Sequence, residues 1–86
     1  MALQEADRLV IFGITGDLAK KMTLPSLYRL ERRGMLNVPV VTVAFDNWTL
    51  EQLINHARES IESVEGKIDE KVFTRLADRL SYVHGD

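Results

Sequence analysis

Apolar residues fall along this chain in two rhythms. Leu9-Val10-Ile11-Phe12 is an unbroken apolar run, and residues 39–45, Pro-Val-Val-Thr-Val-Ala-Phe, form a second, bounded by proline before it and Asp46-Asn47 after it. Short runs without a polar face predict parallel strands covered on both sides, here over residues 8–12 and 39–45. Between them the spacing changes. Leu24, Leu27, Tyr28 and Leu30 recur at helical intervals against Arg29, Glu31, Arg32 and Arg33, predicting a helix from residue 18 to about 33 that Gly34 ends. Pro25 lies inside that pattern, where it removes a backbone bond and crowds the preceding turn. A kink is expected there, or a short first helix followed by a second.

Thr49-Leu50-Glu51-Gln52 is a capping box, and Leu50, Leu53, Ile54, Ala57 and Ile61 follow it at helical spacing. Glu65-Gly66-Lys67 makes a turn, Asp69 caps a further helix with Val72, Phe73, Leu76, Ala77 and Leu80 on its apolar face, and residues 81–83 begin a third strand. Residues 1–7 read as a short frayed leader. The order β-α-β-α-α-β defines an α/β chain with parallel strands, because a strand–helix–strand crossover is right-handed in nearly all cases and sets its strands side by side.

Chemistry concentrates where the first run stops. Gly13 and Gly16 punctuate the exit from the strand, and Ala19 follows three residues later. A helix N-terminus presents unpaired N–H groups and the positive end of its dipole, which suits a pyrophosphate. Gly13 supplies backbone angles for a sharp exit, Gly16 lets phosphate and main chain meet, and Ala19 permits close packing of helix on strand. The spacing, Gly-x-x-Gly-x-x-Ala, is one residue longer between its first two glycines than Gly-x-Gly-x-x-Gly. Asp17-Leu18 after Gly16 excludes a Walker-type phosphate loop, which requires Gly-Lys-Ser/Thr. A plain βα turn whose glycines serve geometry alone is the competing reading.

Asp17 reads as the helix N-cap, since a bare carboxylate beside a pyrophosphate is repelled. Asp46, just past the second strand, arrives at the same sheet edge; an acid there hydrogen-bonds the adenine-ribose hydroxyls and favours NAD over NADP. Its distance from Gly16 exceeds the ~20 residues usual for that role, and a turn aspartate is the alternative. Arg29, Arg32 and Arg33, near a helix C-terminus, read as a solvated face complementing the dipole rather than a phosphate site. His56 falls beside its apolar stripe, as a solvated or half-buried histidine does.

Composition narrows the setting. At 86 residues the chain is one domain, 1–86, short for a complete dinucleotide-binding fold together with a substrate site, so an N-terminal fragment of a larger protein is expected. A formal charge of −2 with mixed signs gives no electrostatic reason for nucleic acid or an anionic membrane as partner. Without cysteine there is no disulfide, thiol nucleophile or thiolate metal site, and His56 and His84 lie too far apart for a local metal motif. No catalytic or metal-binding residue is assigned. The N-terminus has no apolar run of the signal-peptide kind and no segment approaches membrane-spanning length, so a cytoplasmic protein is expected. A small non-catalytic domain binding a nucleotide or nothing is the alternative.

With strand, turn, helix and second strand placed, the sequence resembles the N-terminal coenzyme domain of the glucose-6-phosphate dehydrogenase family. The carrying residues are Gly13-Ile14-Thr15-Gly16-Asp17-Leu18-Ala19-Lys20-Lys21, similar to that family's Gly-x-x-Gly-Asp-Leu-Ala-x-x-Lys stretch, followed by Pro25 and the Leu27-Tyr28-Arg29-Leu30 helix. Residues 41–49, the two later helices and Ser81-Tyr82-Val83 fall where the family has its second strand, helical hairpin and third strand. The likeness therefore covers nearly the whole chain. It implies a Rossmann-like, partial doubly wound parallel sheet, the N-terminal part of a larger fold. The implied activity is oxidation of glucose 6-phosphate at C1 by NADP or NAD, giving 6-phosphogluconolactone at the start of the pentose phosphate pathway.

By the same resemblance, Gly13, Thr15, Gly16 and Leu18, with Asp17 among them, lie under the pyrophosphate, through backbone donors and the Thr15 hydroxyl. Phe45 and Asp46 stand where NADP-using members carry an arginine, which weakens a 2′-phosphate site and makes dual or NAD specificity credible. Met22 stands where the family pattern has a lysine near substrate and nicotinamide, with Lys21 one residue earlier. The histidine base, its carboxylate partner and the basic residues that hold the sugar phosphate belong to later segments. These 86 residues are thus expected to be catalytically silent alone, and to leave apolar strand surface exposed or hidden by self-association.

Overall fold

Three short parallel strands carry all the helices on one side. The computed structural model describes residues 8–85; the leader at residues 1–7 lies outside them. In chain order they form β1 (Leu9–Phe12), a π-helical turn (Ala19–Thr23) running into α1 (Leu24–Arg32), β2 (Val40–Ala44), α2 (Leu50–Glu65), α3 (Glu70–Arg79) and β3 (Leu80–His84). The sheet order is β1-β2-β3. Leu9 stands opposite Val40 and Val40 opposite Leu80, so these three share one face, while Phe12, Val43 and Val83 share the other.

Both crossovers advance in the same direction across the sheet. Right-handed connections that do so put their helices on a single face. Leu9, Ile11, Val40 and Leu80 are buried with Leu27, Leu53 and Leu76 of the helices, whereas Phe12 is 77% exposed and Val83 48% exposed. The double cover expected for β1 is therefore present on one face only. Thr42, the polar residue inside that covered face, is fully buried and donates its hydroxyl to the Ser81 carbonyl at 2.7 Å.

Pro25 acts on the helix as its chemistry requires, and a short π-helical piece is followed by a second helix, α1, the second of the two outcomes expected. Its ring crowds the carbonyl of Lys21, four residues back, and it has no N–H to offer. The winding widens instead: the N–H of Leu24 bonds the Ala19 carbonyl, five residues back. At the far end Gly34, at φ 71°, lets the N–H groups of Gly34 and Met35 reach back to the carbonyls of Glu31 and Leu30, at 3.0 and 2.9 Å.

Polar ties hold the helical layer together. The Thr49–Gln52 capping box forms in both directions, at 3.1 and 2.8 Å. Asp69 caps α3 through the N–H of Lys71 at 3.0 Å, and its own N–H donates to the buried Tyr28 phenol at 2.9 Å. Buried Glu31 is met by Arg79 at 2.5 Å and Arg75 at 3.6 Å, joining α1 to α3. Arg29 and Arg32 hold Glu65 at the end of α2, at 2.8 and 3.2 Å, and the Arg29 hydrogen bond above all keeps that carboxyl below its ordinary range. Two of the three clustered arginines are thus committed to an interhelical ion pair, neither simply solvated nor free for a phosphate.

Candidate coenzyme-binding site

The carboxyl ends of the three strands open a hollow of about 270 Å³. Phe12, Gly13, Thr15 and Gly16 line it from β1 and its turn; Val43, Ala44, Phe45 and Asp46 line it from β2, and Gly85 closes it after β3. Gly13, Thr15, Gly16, Phe45 and Asp46, far apart in sequence, are brought together as anticipated. Asp17 and Leu18 stand beside the hollow, exposed, in the first turn of the helix.

Gly13 adopts φ 74°, a conformation that strains any residue with a Cβ. Its N–H donates to the Val43 carbonyl at 2.8 Å, and its carbonyl accepts from the Gly16 N–H at 3.1 Å. Both glycine N–H groups are thereby occupied within the protein, which corrects the expectation that they serve as ligand donors. The first helical bond runs from the Lys20 N–H to the Gly16 carbonyl at 3.1 Å, so the N–H groups of Asp17, Leu18 and Ala19 precede any helical acceptor. These are the donors that a diphosphate fits. The helix opens without a side-chain cap, correcting the reading of Asp17 as N-cap. Gly16 takes the flanking position, and Asp17, already helical, lies one place too far in.

A Cβ on Gly16 would come to 3.4 Å from the Gly13 carbonyl oxygen, an ordinary contact, whereas one on Gly85 would come to 2.9 Å from a Val43 methyl and force that side chain to shift. Across the hollow, Thr15 donates its hydroxyl to Oδ2 of Asp46 instead of standing free for a phosphate. Asp46 is pinned by its backbone as well, its carbonyl accepting from the Tyr82 phenol and from the Trp48 N–H, the latter at 3.0 Å. Burial first, and then the charge of Asp46, push the Tyr82 phenol above its ordinary value, which keeps it a donor at neutral pH.

Neither histidine lines the hollow. His56 is half-buried with its ring edge against Trp48, centroids 5.0 Å apart, and its Nε2 is buried without a partner. Burial and then nearby Lys20 lower its pKa against the opposing pull of Glu59. Met22 borders a shallow surface groove with Leu18, and Lys21 does not. Among the described residues no cluster of three or more His, Asp or Glu has metal-binding geometry, and no helix is long and apolar enough to cross a membrane. Sequence reasoning missed Tyr82 and Gly85. A glycine just past a strand, as at Gly13, was the available signal for Gly85; nothing local marked Tyr82.

Parallel strands joined by helical crossovers and a glycine turn feeding a helix at the carboxyl edge together define a dinucleotide-binding α/β domain of the Rossmann type. Its small-residue floor and free helical N–H groups fit the diphosphate of such a coenzyme. The chain belongs to the glucose-6-phosphate dehydrogenase family: residues 10–86 match the model described as "Glucose-6-phosphate dehydrogenase, NAD binding domain". Glucose-6-phosphate 1-dehydrogenase 1 of Mycobacterium tuberculosis is 60% identical over 81 residues, which make up 94% of this chain and 17% of that protein. The crystal structure of glucose-6-phosphate 1-dehydrogenase from Mycobacterium avium superposes with a TM-score of 0.91 at 58% identity, over 94% of this chain and 18% of that one. A glucose-6-phosphate dehydrogenase in complex with its substrate glucose-6-phosphate gives 0.80 at 30% identity, over 100% and 19%. The chain thus spans about 17% of the length of the curated relative it matches at 60% identity.

Proposed function

We propose that this chain is the coenzyme-binding portion of a glucose-6-phosphate 1-dehydrogenase, which oxidises glucose 6-phosphate to 6-phosphogluconolactone with NADP or NAD in the pentose phosphate pathway. A cytoplasmic setting rests on the same assignment. One observation carries the reading: the Gly13–Gly16 turn and Asp46 line one hollow at the carboxyl edge of a parallel sheet, with the unbonded N–H groups of Asp17 and Leu18 next in the chain beside it. When bound, the nicotinamide accepts the hydride from C1. The part of this chain is to hold the diphosphate on the helix N-terminus and the adenosine against Phe45 and Asp46.

Proton transfer and sugar-phosphate binding fall to residues outside this stretch, so no glucose 6-phosphate turnover is expected from these 86 residues alone. The bare sheet face supports association with further protein, either the remainder of a longer chain or a second copy. Calorimetric titration with NAD and with NADP tests the coenzyme reading. Binding is expected for the parent sequence and its loss for Gly16→Val, whose circular dichroism melt should be little changed. Equal binding by parent and variant overturns it, and turnover by the 86 residues alone overturns the assignment of catalysis to residues outside this stretch.

A further inference from the structure

We infer that His56 is a positioning residue for the coenzyme: as a neutral imidazole against Trp48 it keeps the loop after β2 docked at the hollow, and on taking up a proton it lets that loop go. This rests on the coenzyme reading above and adds a regulation of the same site. A chain of contacts makes the link. His56, on α2, meets Trp48 edge to ring with centroids 5.0 Å apart, and Trp48 stacks on Tyr82 of β3 at 6.5 Å with the planes 23° apart. The Tyr82 phenol and the Trp48 N–H both donate to the Asp46 carbonyl, and Phe45 and Asp46 line the hollow. Trp48 and Tyr82 are only partly buried at the margin of the core, so the loop depends on their mutual contacts. Its other tie is the Thr15 hydroxyl on the Asp46 carboxylate.

Nε2 of His56 is buried with no hydrogen-bond partner. While the ring is neutral this is one unpaired polar atom; protonated, both ring nitrogens become donors, and Nε2 then points a charge at no acceptor. The surrounding groups do not offset this. Burial first, and then Lys20 on the π-helical turn, oppose the proton, while Glu59 one turn along α2 favours it. From β3 comes the Tyr82 phenol, a donor spent on Asp46, with His84 beyond it opposite Ala44. Arg29 and Arg32 of α1 lie at the far end of α2 with Glu65, and Arg58 pairs with Glu70 of α3. The Asp46 carboxylate is engaged by Thr15. Turning outward gives the imidazolium water as its acceptor, and the Trp48 contact is lost in the turn.

The test is the Kd for NAD and for NADP, by calorimetry on the complete enzyme carrying this chain, at pH 7.5 and 5.5. Each loss of affinity on acidification is compared with that of His56→Phe, which keeps a ring against Trp48 and cannot titrate, so that other titrating groups cancel. His56→Gln is the second replacement should the phenylalanine variant not fold. An imidazole released to water titrates near 6.5, so the parent should lose about threefold to tenfold more affinity than the variant, and about tenfold is the ceiling. Trp48→Leu, which cuts the chain of contacts but leaves His56 in place, should bind more weakly at pH 7.5 and show no such excess. Equal losses in parent and His56→Phe overturn the proposal. So does tighter binding by the parent at pH 5.5, which would mean that the indole holds the imidazolium. An excess that survives in Trp48→Leu assigns the effect to charge near Lys20 and overturns the role of the loop. If neither coenzyme binds at either pH, the coenzyme reading itself fails and this inference falls with it.

Discussion

The two faces of the sheet are built from the same kinds of residue and meet different fates. On one, Leu9, Val40 and Leu80 form a row roofed by α1, α2 and α3; on the other, Phe12, Val43 and Val83 form an equally apolar row that no element among the described residues covers. Local sequence does not separate them. The difference lies in topology, since two right-handed crossovers stepping the same way cover one side only. Burial is therefore a property of the connections as much as of the side chains.

The comparison breaks first on the roofed side. Leu27→Ala, at a fully buried position, should cost about 2–5 kcal/mol by denaturant melting of the chain, and a smaller loss would mean that the helical layer is loosely packed. Tyr28→Phe should follow at about 1–3 kcal/mol, because the Asp69 N–H loses its buried acceptor; a neutral result would assign the α1–α3 corner to packing alone.

Acid should act next, through His56 on α2. Its pKa is lowered in the fold by burial and by Lys20, so the unfolded chain takes up the proton first. Stability is complete above the unfolded value near 6.5 and falls as the pH drops below it, until the folded pKa is passed. Melts at pH 7.5 and 5.5 measure this, and His56→Gln should flatten the difference. On the bare side, Val10→Thr with Val83→Thr should shift the melt by no more than about 0.5 kcal/mol while weakening hydrophobic-dye binding. A large loss would show that this face is already covered, for instance by a second copy.

Periodicity made the elements legible and left their surroundings obscure. The four-residue run Leu9–Phe12 and the capping box at Thr49 announce a strand and a helix through neighbours alone. Val10 and Ile11 look interchangeable in the sequence, yet one is 44% exposed and the other buried, because the deciding partners lie in other elements. The same holds for the hollow. Gly13 and Gly16 were readable because positive φ and close approach are demands on the residue itself, and Asp46 because it follows a strand. Tyr82 reaching the Asp46 carbonyl, and Thr15 reaching its carboxylate, depend on three strand ends meeting, which no local pattern encodes.

The widened turn at Ala19–Thr23 alters how the whole first connection should be counted. It takes up one extra residue, and one residue of an α-helix is worth about 100° of rotation. A wheel drawn at 3.6 residues per turn straight through from Asp17 to Arg32 therefore puts one end out of phase with the other. The bulge works as a spacer that lets the phosphate-side turn and the apolar stripe of α1 each keep its own bearing. Replacing Pro25 would remove the obstacle that holds the spacer open, and the two bearings would then compete.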